Sequence, residues 1–206
     1  DYVFEVPMHH PLFLKNTVEH TRSLLLNLAK LDEIIVSTEN LKKALIELGL
    51  TNRITVIENY LPKHLYQTDV KRFRFEDIKK PVIAYTGADS HYNNSLDLDG
   101  DFSGNTREFI EKNIDNYEFI FFGNVPNFLK KYADEGKIVI VPSTNPLEYP
   151  INLKKYRADF VIAPLEENIF NSCKSDLRYL EAAAAGAVFI GSRFEGEMTS
   201  PYQFFE

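Results

Sequence analysis

The 206 residues contain one cysteine, Cys173, and no tryptophan. A lone cysteine excludes an internal disulfide framework and fits a reducing compartment, so a cytoplasmic location is expected. No apolar run approaches the roughly 20 residues that cross a bilayer, and no signal-peptide pattern opens the chain. A basic excess is missing as well: 23 Lys and Arg stand against 30 Asp and Glu, a formal net charge of −7. Nucleic-acid binders carry a basic footprint, so no nucleic-acid partner is expected. Metal-ligand spacing is also absent. His9, His10 and His20 lie on or beside one expected helix with no carboxylate or cysteine at ligand spacing, so they read as surface or capping histidines and no metal is expected. Cys173 has no histidine near it in sequence, which argues against a nucleophile. What remains is ordinary globular material, 44% hydrophobic and 26% charged. The length suits one domain plus part of a second.

The chain alternates between helical periodicity and short apolar runs. Residues 12–31 read as a helix with Leu24, Leu25 and Leu28 at helical spacing, 32–38 as a buried strand, 39–50 as a helix stopped by Gly49, and 53–59 as another strand. Residues 60–80 hold proline, mixed charge and no sustained period. From Pro81 the alternation is regular: strands at 81–87, 117–123, 137–142, 159–165 and 187–192, with helices near 105–114, 125–135, 145–156 and 170–186. Continuous apolar strands separated by helices of about a dozen residues are βαβ units of a parallel sheet covered on both faces. The expected fold is therefore α/β, a doubly wound, Rossmann-like parallel sheet with part of a second α/β domain. The expected organisation is 1–62 as the end of that second domain, 63–80 as linker and 81–206 as the doubly wound domain.

Ligands of such sheets bind beyond the carboxyl ends of the strands, and the stretch "FNSCKSDLRYLEAAAAG" (170–186) follows one of them. At about 100° per residue, one continuous helix would gather Lys174, Arg178 and Glu181 into a polar stripe and put Leu177, Leu180 and Ala184 on the core face. Its N-terminal end, with Asn171, Ser172, Lys174 and Ser175, would present N–H groups, a positive dipole and a point charge to an anion such as a diphosphate. A solvated helix face with ordinary salt bridges would look the same in sequence.

At these residues the chain resembles a known family. "DFVIAPLEENIFNSCKSDLRYLEAAAAGAVFIGS" is similar to the nucleotide-sugar segment of GT-B glycosyltransferases of the retaining family 4 type, and most similar to the subgroup of O-antigen and capsule loci. The likeness is carried by Ala163-Pro164-Leu165, Phe170-Asn171, Lys174-Ser175 and Glu181 through Gly186. "DEIIVSTENLKKAL…ITVIENYLP" resembles the end of that family's N-terminal domain, and "PVIAYTGADSH" the first strand and glycine loop of its C-terminal domain. The resemblance implies a transferase that moves a hexose from a nucleotide-diphosphate sugar to a saccharide or lipid-linked acceptor. It implies no cofactor beyond the donor, and peripheral membrane association through regions outside this sequence. It implies Lys174 and Glu181 as catalytic residues, with Gly87, His91, Asn171, Ser175 and Arg178 binding the donor. Cys173 stands where the first glutamate of the family's spaced pair would fall, a departure, although the Lys-Ser subgroup generally lacks that carboxylate. The chain would then be an excerpt of a longer enzyme. A noncatalytic nucleotide-binding or scaffolding module is the alternative.

One further segment, 97–108, places Asp97, Asp99, Asp101, Ser103 and Glu108 at calcium-loop positions, but Phe102 stands where the sharp turn needs glycine. An acidic, flexible insertion is the expected outcome there.

Overall fold

A computed structural model of the chain describes residues 2–66 and 80–203. The first part contains helix α1 (Val18–Leu28), strand β1 (Glu33–Val36), helix α2 (Glu39–Glu47), strand β2 (Arg53–Val56) and a short helix α3 (Lys63–Tyr66). Strands β1 and β2 pair in parallel, Ile34 beside Ile54 and Val36 beside Val56. The segment expected as one helix over 12–31 is divided. A 3-10 turn covers Phe13–Lys15, and α1 begins only where the Thr17 side chain accepts the His20 N–H at 3.2 Å. A threonine in extended conformation ends the preceding turn and caps the new helix. Of the expected linker, 63–66 is the helix α3 and residue 80 is described, whereas 67–79 lie outside the described residues.

The second part supplies β3 (Val82–Tyr85), α4 (Asn105–Asn113), β4 (Glu118–Phe122), α5 (Lys130–Asp134), β5 (Ile138–Val141), α6 (Tyr149–Lys155), β6 (Phe160–Ala163), α7 (Ile169–Ser172), α8 (Leu177–Ala185) and β7 (Val188–Gly191). The five strands form one sheet in the order β5-β4-β3-β6-β7, every pair parallel. The continuous apolar runs are explained by what they face. Along β4, Phe119 and Phe121 enter one buried cluster with Ile83, Tyr85, Phe102 and Ile110. Ile120 and Phe122 enter another on the opposite face, with Ala84, Val161, Leu153 and Ala182. Successive side chains point to opposite sides of a strand, so a strand buried on both faces has no polar positions. This is the doubly wound α/β fold. Strand order reverses between β3 and β6, and the crevice beyond that switch point is where such folds hold ligands.

The helix expected over 170–186 is two helices. Asn168 caps α7 by accepting the Asn171 N–H at 2.8 Å, and the chain leaves helical geometry after Cys173 before α8 starts at Leu177. The reason lies 130 residues away in sequence. The Cys173 carbonyl accepts Thr38 Oγ1 at 3.0 Å and the Ser172 carbonyl accepts Asn40 Nδ2 at 3.0 Å. Carbonyls that a continuous helix would offer to residues 176 and 177 are held by the start of α2 instead. The core face moves with the break: Glu181 and Ala182 are the buried residues of α8, and Leu177 and Leu180 are only half-buried. Small Ala182 and Ala185 let α8 lie close on the sheet beside Ala84 and Val161. Gly186 ends the helix in the left-handed conformation, φ 77°, as helix C-caps require.

Candidate functional site

Beyond the carboxyl ends of β3, β4 and β5 lies a cavity of about 700 Å³. Its floor is the backbone of Thr86, Gly87 and Gly123, and its walls include Tyr149 of α6 together with Arg178 and Glu181 of α8. Gly87 is required by space: a Cβ there would overlap the Tyr85 hydroxyl. That hydroxyl donates to the Ala88 carbonyl at 3.2 Å and holds the loop that follows.

Arg178 and Glu181 sit one turn apart on α8 and form an ion pair, Nη1 to Oε2 at 2.8 Å, with side-chain exposures of 30% and 9%. Tyr149 joins them twice: its hydroxyl oxygen accepts from Arg178 Nη1 at 3.1 Å, and its O–H donates to Glu181 Oε2 at 3.1 Å. Burial, opposed by the Arg178 charge, pushes the Tyr149 hydroxyl up to about 12, so it keeps its proton and remains a donor. Tyr66 Oη reaches Glu181 Oε1 at 3.5 Å, the longest of these contacts. Glu181 therefore holds Arg178 and Tyr149 on the cavity wall, and its Oε1 is the oxygen least committed.

The other expected site residues gather at a neighbouring point, at the switch between β3 and β6. The loop after β3 carries His91, whose Nδ1 lies 2.6 Å from Asp101 Oδ2. Asp101 is buried, and its Oδ1 accepts the Glu166 N–H at 2.7 Å and Asn171 Nδ2 at 2.8 Å. Burial lowers the His91 pKa despite that carboxylate, which favours a neutral ring with its proton on Nδ1. Asn171 is fully buried and its amide also donates to the Glu166 carbonyl at 2.9 Å, so it braces this cluster and is not open to the cavity. Lys174 lies in the bend between α7 and α8, off the helix. Its Nζ is 4.9 Å from the Phe170 ring centroid, and no carboxylate lies within 4.0 Å of it among the described residues. Burial lowers its pKa to about 8, the Asp101 charge opposing and the Arg178 charge adding. Ser175 accepts Asn59 Nδ2 at 2.7 Å and thereby ties this bend to the segment after β2.

Of the seven site residues expected from sequence, Gly87, Arg178 and Glu181 line the cavity, whereas His91, Asn171, Lys174 and Ser175 do not. The polar stripe expected on one helix is not formed, because Lys174 precedes α8. In the sequence Asp101 reads only as a calcium-loop position, and the structure disperses those carboxylates. Asp97 Oδ1 accepts Asn127 Nδ2 at 2.9 Å, Asp99 pairs with Arg107 at 2.7 Å, and Asp101 faces His91. Nor is this loop a loose insertion, since Phe102 is wholly buried in the core. A phenylalanine amid the acidic residues is the one local sequence signal that this loop turns inward. Cys173 is buried, and burial pushes its thiol up to about 11, protonated and unreactive at neutral pH. His10 takes the Leu12 N–H on Nδ1 at 3.1 Å, a local capping role, but His9 is buried and not a surface residue.

No family model matches the sequence, and no curated protein matches it significantly. Solved structures do. The chain is similar to "Crystal Structure of TarM" at 14% identity and a TM-score of 0.55, over 96% of this chain and 36% of that one. "OtsA apo structure" aligns at 14% identity and a TM-score of 0.48, over 92% of this chain and 52% of that one. The chain thus spans about a third to a half of the length of the proteins it matches. The likeness to TarM, on the five-stranded parallel sheet described above, is a likeness of fold.

Proposed function

We propose that this chain is the nucleotide-sugar-handling part of a glycosyltransferase. Its donor is a nucleotide-diphosphate hexose, its acceptor a saccharide or lipid-linked sugar, and the transfer, with retention, serves surface polysaccharide or glycoconjugate synthesis. The proposed setting is the cytoplasm, with membrane association left to regions outside this sequence and no cofactor besides the donor. The observation that carries this reading is the cavity at the carboxyl ends of three adjacent parallel strands, with glycine backbone as floor and Arg178 on the wall. Backbone N–H groups and a guanidinium fork suit a diphosphate. When the bond from the anomeric carbon to the diphosphate breaks, negative charge grows on the leaving group. Fixed cations aimed there stabilise that charge, the role proposed for Arg178 on the wall, with Lys174 adding its charge from the neighbouring bend. A ribose hydroxyl would meet Glu181 at Oε1, displacing only the 3.5 Å contact from Tyr66.

The test is thermal denaturation against UDP, GDP, ADP and CMP. One diphosphate should raise Tm, and the rise should vanish in Lys174→Ala. A folded sample indifferent to all four nucleotides would sink the proposal.

The lowered pKa of Lys174 adds a test with two opposite signs. The ammonium lies over the Phe170 ring and within electrostatic reach of Asp101, Arg178, His10 and His91. Above about pH 8 the folded chain loses this proton, so diphosphate affinity should fall as pH rises through 8. Unfolded chain keeps the proton up to the ordinary 10.5, so folding stability should instead gain from this group between about 8 and 10.5. Calorimetric titration in chelator-containing buffer and urea unfolding across that window read the two slopes. Lys174→Met should remove both.

A further inference from the structure

We propose that His9, Asp101 and Glu166 form a binding site for one divalent transition-metal ion, zinc first among them, which ties the N-terminal segment to the loops of the five-stranded sheet. Donor atoms of the three side chains all lie within 4.8 Å of one another, with His9 and Asp101 buried and Glu166 half-buried. The proposal stands apart from any glycosyl transfer and requires no nucleotide.

The first support is the state of His9. This imidazole has a side-chain exposure of only 6%, so it is held in place between the N-terminal segment and the loops of the sheet. Its Nδ1 faces Glu166 Oε2 at 3.6 Å, which is too long for a hydrogen bond. Two ligands each about 2.1 Å from a tetrahedral ion stand about 3.4 Å apart, so the gap is nearly the one an ion would set. The Asp101 oxygen lies farther out, and the half-exposed Glu166 side chain has room to adjust.

The second support is that the remaining donors are already oriented. Asp101 is held by His91, by the Glu166 N–H and by Asn171, at 2.6, 2.7 and 2.8 Å. These leave a lone pair on Oδ2, which carries the His91 contact alone. Glu166 Oε1 accepts Ser103 Oγ at 3.1 Å, which turns Oε2 toward His9. Outer partners of this kind orient the ligands of metal sites. Gly100 lets the loop come this close: its φ is 55°, and a Cβ would lie 2.7 Å from His9 Cγ and overlap the His91 carbonyl. Lys174 lies over the Phe170 ring and makes no ion pair with Asp101 within 4.0 Å among the described residues.

The donor set selects the ion. One imidazole and two carboxylates suit zinc or manganese, whereas calcium and magnesium prefer all-oxygen shells. Two carboxylates balance a dication, and three protein ligands leave a fourth position open. Residues 9, 101 and 166 are far apart in sequence, so no spacing rule could have found them.

The test uses chelator-treated chain, titrated calorimetrically with zinc, manganese, magnesium and calcium, with thermal denaturation in parallel. Zinc should bind one per chain and raise Tm, manganese more weakly, and magnesium and calcium should do neither. His9→Gln and Glu166→Gln should each weaken zinc by at least about tenfold, and His20→Gln, on the exposed face of α1, should leave it unchanged. Absence of stoichiometric zinc binding by folded wild-type chain would overturn the proposal. So would binding undiminished in both ligand variants. Glu166→Gln keeps the backbone N–H that braces Asp101, so the test does not depend on His9→Gln folding.

Discussion

Glu181→Ala should destabilise the fold by about 3 kcal/mol, the low end of what breaking a buried ion pair costs, and should abolish the nucleotide response. The stability term comes from what is left behind. Arg178 would keep its charge while losing the 2.8 Å carboxylate contact, and Tyr149 would lose the acceptor for its O–H. Arg178 retains 30% side-chain exposure, and solvent screening holds the cost at that low end. Glu181→Gln keeps an acceptor oxygen and should cost less than alanine. Arg178→Met combined with Glu181→Ala should recover part of the stability, because no charge is then left unpaired, but should not recover nucleotide binding. A urea-unfolding double-mutant cycle measures the coupling. If the two single costs add with no coupling, the network is not holding Arg178. If Glu181→Ala still responds to a nucleotide as wild type does, Glu181 is structural only.

The same network marks where local pattern was sufficient. The carboxyl-end location of the cavity followed from strand types alone: after Glu118 the run "FIFF" admits no polar position, so both faces of β4 must be covered. Gly87, Arg178 and Glu181 were legible because a strand-to-loop glycine and an i, i+3 pair on one helix are near-neighbour relations, and helical geometry carries them intact. Residues 170–186 failed as a single helix for a non-local reason. Thr38 and Asn40 remove two carbonyls from the ladder, and nothing in the alanine run announces a partner more than 130 residues earlier. Lys174 thereby moved from a helix face into a bend over Phe170. Asp101 was missed for the same cause, since its partners His91, Glu166 and Asn171 come from two loops and helix α7, which only the sheet's strand order brings together.

Phe102→Ala should cost about 3–5 kcal/mol, the range for emptying a fully buried aromatic site. Phe102 has no exposed surface and packs edge-on to Tyr85 at a centroid distance of 4.7 Å, with Phe121 and Tyr92 each at 5.9 Å. Tyr85 is in turn the residue whose hydroxyl holds the Gly87 loop, so one ring supports the cavity floor from beneath. It also anchors the 3-10 turn Gly100–Phe102, and with it Asp101 against His91. A calcium loop would need glycine at this position to turn sharply around an ion; phenylalanine instead drives the loop into the core, which is why the neighbouring carboxylate ends up buried. Phe102→Leu keeps most of the volume and should cost about 1–1.5 kcal/mol, as shape-changing apolar swaps do. Urea unfolding of both variants gives the stability difference. Zinc titration at a temperature where both are folded gives the second readout: leucine should preserve binding, and alanine should weaken it by releasing Asp101. An alanine variant within 1 kcal/mol of leucine would mean that the loop is held by its hydrogen bonds, not by this ring.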